Sequence, residues 1–492
     1  MNASTRYTIR VALIVALGGF LMGFDASVIS GVVSFIGPEF GLSNIEVGWA
    51  VASLTLTSTL AMMMAGPVSD RFGRRPVLKM AAVLFTLSAI ASAVAPDYVT
   101  LVSARMLGGF GVGAALIIAP MYIAEIAPAD IRGRMVSFNQ LNIVIGISAA
   151  YFSNYLILSL GQSDLSWAQT LHLDAWAWRW MLGVEALPAI FYFIALFTVP
   201  ESPRWLVMHD KGEQALGILE RVSGAEQANL DLQAVQASLD DEAELEKGSL
   251  RELFLPAMRL VLTIGIVIAI LQQITGINSV FFYAPMIFEQ SGIGTDAAFM
   301  QAVLVGIINL VFTVVAILLI DKLGRRPLLI FGLVVIAGSM LLLAYGFGSA
   351  SYSAAGELVD MNPTLILIGI LGFVAGFAIS LGPVMWVLFS ELFPNRIRGI
   401  AISFVGLINS SVSFIVQLVF PWELENFGPS VTFLIYGSFA IIGLVFVMRV
   451  LPETKGRSLE PVSYTHLRAH ETSSSISYAV FCLKRGGGGG GG

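Results

Sequence analysis

The sequence has one cysteine in 492 residues, four histidines, and a charged fraction of only 12%. The single thiol is Cys482, close to the C-terminal end, so the body of the chain can hold neither a disulfide nor paired-thiol chemistry. Outside that end only His172 and His209 remain, in no HExxH motif and no His/Cys cluster, so no metal site is expected. There is no GxxxxGK[ST] loop to cradle a nucleoside triphosphate, which argues against direct ATP drive, and no cofactor is expected. No catalytic constellation is present, so an enzyme is not expected. The charged fraction is roughly half that of soluble domains, too little to cover a water-facing surface. The formal net charge of −6, with no basic face to neutralise phosphates, excludes a nucleic-acid partner.

Apolar residues make up 56% of the chain. They gather in runs of roughly 18 or more residues, each long enough to cross ~30 Å of hydrocarbon as a helix. The runs lie at about 8–30, 47–69, 77–95, 100–124, 135–158 and 178–199, then at about 257–288, 299–320, 327–347, 364–390, 399–421 and 430–451. Backbone polar groups in lipid need internal partners, and the alternation of barrel strands is missing. The expectation is an all-α membrane protein with twelve transmembrane helices. The first run is long and lacks a small-residue cleavage pattern, so it reads as the first span rather than a signal peptide.

Basic residues mark the sides of the membrane. Segments 24–48, 90–104, 157–178, 284–300, 346–365 and 418–432 contain no Lys or Arg. The alternate loops carry Arg71, Arg74, Arg75 and Lys79; Arg132 and Arg134; Lys322, Arg325 and Arg326; Arg396 and Arg398. The positive-inside rule then puts both termini in the cytoplasm, which agrees with an even number of spans in a multi-pass protein of the cell (inner) membrane.

The chain also repeats itself. Asp70-Arg71-Phe72-Gly73-Arg74-Arg75-Pro76 recurs as Asp321-Lys322-Leu323-Gly324-Arg325-Arg326-Pro327. Glu125 followed by Ile131-Arg132-Gly133 recurs as Glu391 followed by Ile397-Arg398-Gly399, and Pro200-Glu201 as Pro452-Glu453. Equivalent positions on one membrane side indicate two parallel six-helix repeats that rock about a central cavity. The expected organisation is an N-terminal bundle over 1–200, a polar helical linker over 201–256, and a C-terminal bundle over 257–460. Residues 461–492 change composition abruptly and end in glycines from 486 onward. They read as a non-native tail and are set aside.

Charges within spans are costly, at least ~2.5–3.5 kcal/mol each, so each asks for an explanation. Asp25 lies in the first span, Arg105 near the outer start of the fourth and Glu185 in the sixth. Making or breaking an Asp25–Arg105 pair would swing the proton affinity of the acid, with Glu185 assisting; a static buried ion pair is the alternative. The seventh span holds Gln272, Gln273 and Asn278 around Gly276, a residue able to interrupt the helix. Carboxamides both donate to and accept from hydroxyls and carry no charge that would trap a neutral polyol, although such amides can also merely join helices. Gln140, Asn309 and Asn409 add further amides, and Trp386 offers an apolar face with one N–H donor. Arg71, Arg132, Arg325 and Arg398 have Glu125, Glu201, Glu391 and Glu453 as plausible partners in salt bridges between the halves that would gate the cytoplasmic side; topological anchoring is the simpler role.

GFDASVISG, the two D-x-x-GRRP loops, RGRMVSFNQ, PESPRWL, QQITGIN, GPVMWVLFSELFP and PETKGRSLE stand in the order of a known family. From the first span to about Glu460 the chain resembles the sugar porter family of the major facilitator superfamily, which includes bacterial proton-coupled xylose, glucose and galactose symporters and facilitative glucose transporters. The resemblance implies that Gln140, Gln272, Gln273, Asn278, Asn309 and Trp386 line a sugar site, with Asn409 where relatives carry a Gln or Asn that touches sugar. It also implies that Asp25 and Arg105 occupy the proton-coupling pair of the bacterial symporters, whereas animal facilitative relatives lack the acid. Two departures bear on substrate choice. Ser410 stands where many relatives have Trp, and Phe282 replaces the first of a frequent Tyr pair, leaving Tyr283 alone. The expectation is proton-coupled symport of a monosaccharide by a monomer in the lipid bilayer. Alternatives are a facilitative sugar or polyol uniporter and a transport-dead sugar sensor; a pentose, glucose, galactose, fructose or inositol each fits an amide-lined pocket.

Overall fold

The computed structural model describes residues 3–128, 131–244, 249–352, 358–394 and 396–455. The tail at 461–492, including Cys482, lies outside the described residues. Twelve helices are long and apolar enough to cross a membrane: Ser4–Gly31, Asn44–Phe72, Arg74–Ala93, Tyr98–Ile126, Met135–Gly161 and Ala177–Thr198, then Pro256–Glu289, Thr295–Leu323, Arg325–Gly348, Pro363–Leu392, Arg398–Asn426 and Gly428–Val450. They are numbered spans 1 to 12 in chain order. Between the two sets lie shorter helices, Pro203–Met208, Gly212–Ser223 and Ala225–Glu244. The Trp205 indole donates to the Asp70 carbonyl at 2.9 Å, which moors this segment to the end of span 2.

The internal repeat of the sequence is a repeat of packing. Span 1 lies on span 5 as span 7 lies on span 11; span 2 lies on span 4 as span 8 lies on span 10. Span 3 meets spans 4 and 6 as span 9 meets spans 10 and 12. In lipid these contacts gain little from hydrophobic transfer, so close backbone approach has to supply the attraction. Gly23 and Gly146 show how: a Cβ on Gly23 would fall 2.0 Å from the Ile143 carbonyl oxygen, and one on Gly146 would fall 2.1 Å from that of Phe20. This is the major facilitator fold, with two parallel six-helix repeats.

The turn between spans 2 and 3 is set by Gly73 at φ 101°, and that between spans 8 and 9 by Gly324 at φ 92°. Left-handed backbone of this kind favours glycine, and space demands it as well. A Cβ would fall 2.5 Å from Glu201 Oε2 at the first turn and 2.7 Å from Glu453 Oε2 at the second. Each carboxylate sits there because it accepts the unpaired amides of a helix N-terminus. Glu201 takes Arg74 N at 3.0 Å and Arg75 N at 3.2 Å. Glu453 takes Arg325 N and Arg326 N, both at 3.0 Å.

The halves meet where span 2 faces span 11 and span 5 faces span 8. Among the described residues, the hydrogen bonds between spans 1–6 and 7–12 run from mid-span to the face opposite the termini. At mid-span Ser148 donates to the Gly306 carbonyl at 2.8 Å and Tyr151 to that of Phe281 at 2.5 Å. Farther out, Thr55 donates to Gln417 Oε1 at 2.8 Å and Asn44 to Glu425 at 2.5 Å. Gln162 donates to Asp296 at 2.7 Å and Ser34 to Glu289 at 2.8 Å. The Trp49 and Phe414 rings meet edge-on at 5.8 Å in the same region. The seam is therefore laced shut on one face, and these bonds do not continue toward the face that carries the termini.

Candidate functional site: an amide cluster and a buried ion pair

Span 7 is not one helix. It runs as Arg259–Ile274, breaks at Gly276 (φ 89°), and resumes as Ile277–Glu289. The left-handed angle calls for glycine, and a Cβ there would fall 2.4 Å from the Tyr436 ring. Span 10 is also broken, into Pro363–Ile379 and Leu381–Leu392, because Pro383 has no N–H to bond the Ile379 carbonyl one turn back. Discontinuous helices at mid-membrane are where transporters place ligand-binding groups.

The amides converge at these breaks. Asn409 Nδ2 on span 11 donates to Gln272 Oε1 at 2.7 Å and to the Ala269 carbonyl at 2.9 Å. Gln272 Nε2 reaches across to the Leu381 carbonyl beside the break in span 10, at 3.1 Å. Gln273 Nε2 donates to Gln272 Oε1 at 3.0 Å and Asn409 Oδ1 at 3.2 Å. Asn278 Nδ2 donates to Gln273 Oε1 at 2.7 Å and Ser413 Oγ at 2.6 Å. Gln272, Gln273, Asn278 and Asn409 thus form one network whose mutual bonds fix each rotamer. Asn278 is half-buried, and its Oδ1 accepts nothing from another described residue.

The other candidates stand outside the network. Trp386 is 45% exposed, packs edge-on against Phe389 at 6.0 Å, and leans toward Gly406, one turn from Ser410 on span 11. Its indole N–H has no partner among the described residues, and the same is true of the side-chain amides of Asn309, which is buried on span 8, and Gln140, which is exposed on span 5. These are unspent hydrogen-bonding groups.

In the N-terminal half, Arg105 Nη1 donates to Asp25 Oδ1 at 2.8 Å and to the Asp25 carbonyl at 3.3 Å, with both side chains 2% exposed. Glu185, also buried, lies within electrostatic range of both. It sits where span 6 pauses, since Pro188 has no N–H to continue the helix and the Val184 carbonyl accepts the Leu187 amide instead, at 3.2 Å. Asp25 Oδ2, Arg105 Nε and Glu185 Oε1 have no hydrogen-bond partner among the described residues. Two acids and one base share a site closed to water. An uncompensated buried charge costs several kcal/mol, so an acid in excess of the base here asks for a role.

The sequence matches the family described as Sugar (and other) transporter over residues 11–465. The chain belongs to this family. It is 38% identical over 459 residues to the arabinose-proton symporter of Bacillus subtilis (strain 168), covering 93% of this chain and 95% of that protein. It is 39% identical over 489 residues to the D-xylose-proton symporter of Escherichia coli (strain K12), with the same coverage of 93% and 95%. A structure of the xylose transporter XylE from E. coli, in a partially occluded inward open conformation, matches with TM-score 0.77 at 38% identity, covering 92% of this chain and all of that one (100%). This sugar-transporter-family protein is a membrane transporter, not an enzyme.

The loops of this transporter correct one expectation. The bridges expected between halves close within each half. Arg74, not Arg71, pairs with Glu125 at 3.0 Å and Asp70 at 2.8 Å. Arg325 pairs with Glu391 at 2.6 Å and Asp321 at 3.3 Å. Gly73 turns the chain so that Arg74 faces span 4 of its own bundle, whereas Arg71 stays on the outside of span 2 with its guanidinium 5.3 Å from the Phe72 ring centre. Arg132 and Arg398 donate instead to the Ala127 and Phe393 carbonyls, both at 3.3 Å. Glu201 and Glu453 are occupied by the backbone amides described above.

Some members of the transporter's network went unread in the sequence. Ser413 and Gln417 follow Asn409 at four-residue steps on span 11, and Gln417 Nε2 donates to Ser413 Oγ at 2.7 Å. Through Thr55 this line joins the amide cluster to the closed face. The step of four was visible, but not which face of span 11 it occupies. Tyr283 donates its hydroxyl to the Gln417 carbonyl at 2.9 Å, so it is spent on the protein.

Proposed function

We propose that this transporter carries a monosaccharide together with a proton, in the same direction, by alternating access across the cell (inner) membrane, with both termini cytoplasmic. The observation that carries the reading is the division of labour between halves. A neutral amide cluster at two broken helices suits hydroxyls in the C-terminal half, and a sealed site with one acid in excess suits a proton in the N-terminal half. Gln140, Gln272, Gln273, Asn278, Asn309, Trp386 and Asn409 would contact the sugar; Asp25 would hold the proton, with Arg105 as its switchable partner and Glu185 assisting.

The basic loops on the face of the termini favour that face as cytoplasmic. The laced face is then external, and the arrangement is inward-facing. The relatives' names, arabinose-proton and D-xylose-proton symporter, make aldopentoses the first substrates to test. Ser410, small and half-buried beside Asn409, leaves room for a ring.

The test uses proteoliposomes, with external pH recorded as xylose or arabinose is added. Alkalinisation with uptake is expected for the parent. Asp25→Asn should abolish the pH signal and uphill accumulation while sugar exchange persists. Accumulation by Asp25→Asn would refute the proton role, and uptake by the parent without a pH change would make the protein a uniporter.

A further inference from the structure

On the lipid-facing side of the N-terminal half, spans 1 and 6 leave an open groove of about 540 Å³ near the face of the termini, lined in part by Arg6, Arg10, Leu13, Phe191, Ala195 and Thr198. Its walls are apolar and outward-facing, with Leu13 45% and Phe191 64% exposed, and Ile194 and Phe197 exposed beside them. In a membrane such a trough faces acyl chains. Arg6 and Arg10 are four residues apart on one helix, so both project over the same side. Both are exposed, and neither has a hydrogen bond or ion pair with another described residue. Arg75 and Lys79 on span 3, by contrast, are engaged at the end of span 6. Arg75 donates to the Leu196 and Phe197 carbonyls at 3.1 and 2.9 Å, and Lys79 sits 3.5 Å over the Phe197 ring.

Depth sharpens the contrast. Span 1 has 28 residues, about 42 Å of helix against ~30 Å of hydrocarbon, so about 6 Å projects at each end. Arg6 then lies among headgroups and Arg10 about 3 Å inside the acyl boundary, from where its long side chain reaches outward. Two unspent guanidiniums about 6 Å apart along the axis, above an apolar trough, match a phosphodiester with hydrocarbon tails beneath it. No acidic residue lines the groove.

We infer that this groove binds one anionic glycerophospholipid, its phosphate held by Arg6 and Arg10 and its acyl chains lying along Leu13 and Phe191. The site is independent of which solute is transported. Free phosphate meets the same guanidiniums but not the trough, so it binds poorly.

Native mass spectrometry of the full chain, titrated with dioleoyl phosphatidylglycerol or dioleoyl phosphatidylcholine, tests the inference because the two lipids share their tails. The first phosphatidylglycerol should bind roughly 30-fold more tightly than phosphatidylcholine. Arg6→Gln/Arg10→Gln should lose that preference, Arg6→Lys/Arg10→Lys should keep most of it, and excess inorganic phosphate should not displace the lipid. Thermal melting checks that each variant is folded. Equal binding of both lipids by the parent, an undiminished preference in the folded glutamine variant, or displacement by inorganic phosphate would each overturn the inference.

Discussion

Gly48 provides the sharpest test of the closed seam. A Cβ at this position on span 2 would fall 2.0 Å from the Leu418 carbonyl oxygen, 2.8 Å from its carbon and 3.1 Å from its Cα. Normal contact needs more than 3 Å, so Gly48→Ala forces spans 2 and 11 about 1 Å apart. No side chain can rotate to relieve it, because the obstacle is backbone. Overpacking of this kind costs roughly 1–3 kcal/mol. The penalty falls only on the state in which the two spans touch, so the ratio of closed to open seam should drop about 5- to 150-fold. Spin labels at Ile45 and Phe427, 44% and 47% exposed at the laced ends of spans 2 and 11, would report it in a Cys482→Ser background. Electron–electron double resonance should show a longer-distance population growing in Gly48→Ala, with slower net uptake. Gly66→Ala is the control, since a Cβ there meets nothing within 4 Å. An unchanged distance distribution in folded Gly48→Ala would show that the seam does not depend on this contact.

Other substitutions probe the site and the turns. Gln273→Ala removes the acceptor for Asn278 and two donated bonds that fix the cluster's rotamers; the side chain's own bond to a sugar hydroxyl is worth ~0.5–1.5 kcal/mol, so sugar Kd should weaken about 2- to 12-fold in calorimetric titration, and an unchanged Kd would exclude the network from the site. Gly276→Ala combines left-handed backbone with a ring 2.4 Å away, so a loss of about 2–4 kcal/mol is expected in unfolding, and a melting temperature equal to the parent's would contradict the assigned break. The two turn carboxylates should respond to pH in opposite senses. Burial pushes Glu453 up, but the amides of Lys455, Arg325, Arg326 and Thr454 outweigh it and hold the group below its ordinary 4.5. Its stabilisation is full above 4.5 and fades as pH falls through the lower folded value, so Glu453→Gln should flatten the acid limb of a melting-temperature profile. At Glu201 burial prevails over the amides and the pKa lies above 4.5. Its contribution is full below 4.5 and fades as pH rises through the higher value, so Glu201→Gln should flatten the stretch just above; the reverse pattern would refute both assignments.

The twelve spans were legible because lipid makes hydropathy along the chain the dominant constraint, and the repeat was legible because each half needs the same tight turn. Asp25 and Arg105 were legible for a related reason: few charges lie within the spans, so each has few possible partners. What stayed hidden was orientation. Arg71 and Arg74 are equivalent as letters in the motif, and only the turn at Gly73 decides which one meets Glu125. The repeated motifs could not reveal that Glu201 and Glu453 spend themselves on backbone amides, so gating bridges between halves looked plausible. Nor could Tyr283 show that its hydroxyl is committed to the Gln417 carbonyl.

The bonds that lace the two halves share one trait. Hydroxyls, carboxamides and peptide oxygens meet one another, or meet Glu289, Asp296 and Glu425, and no cation faces an anion across the boundary among the described residues. Prying such a boundary apart exchanges each bond for one to water without pulling unlike ions from each other. The conformational cycle can accordingly proceed at much the same pace in dilute and in briny surroundings.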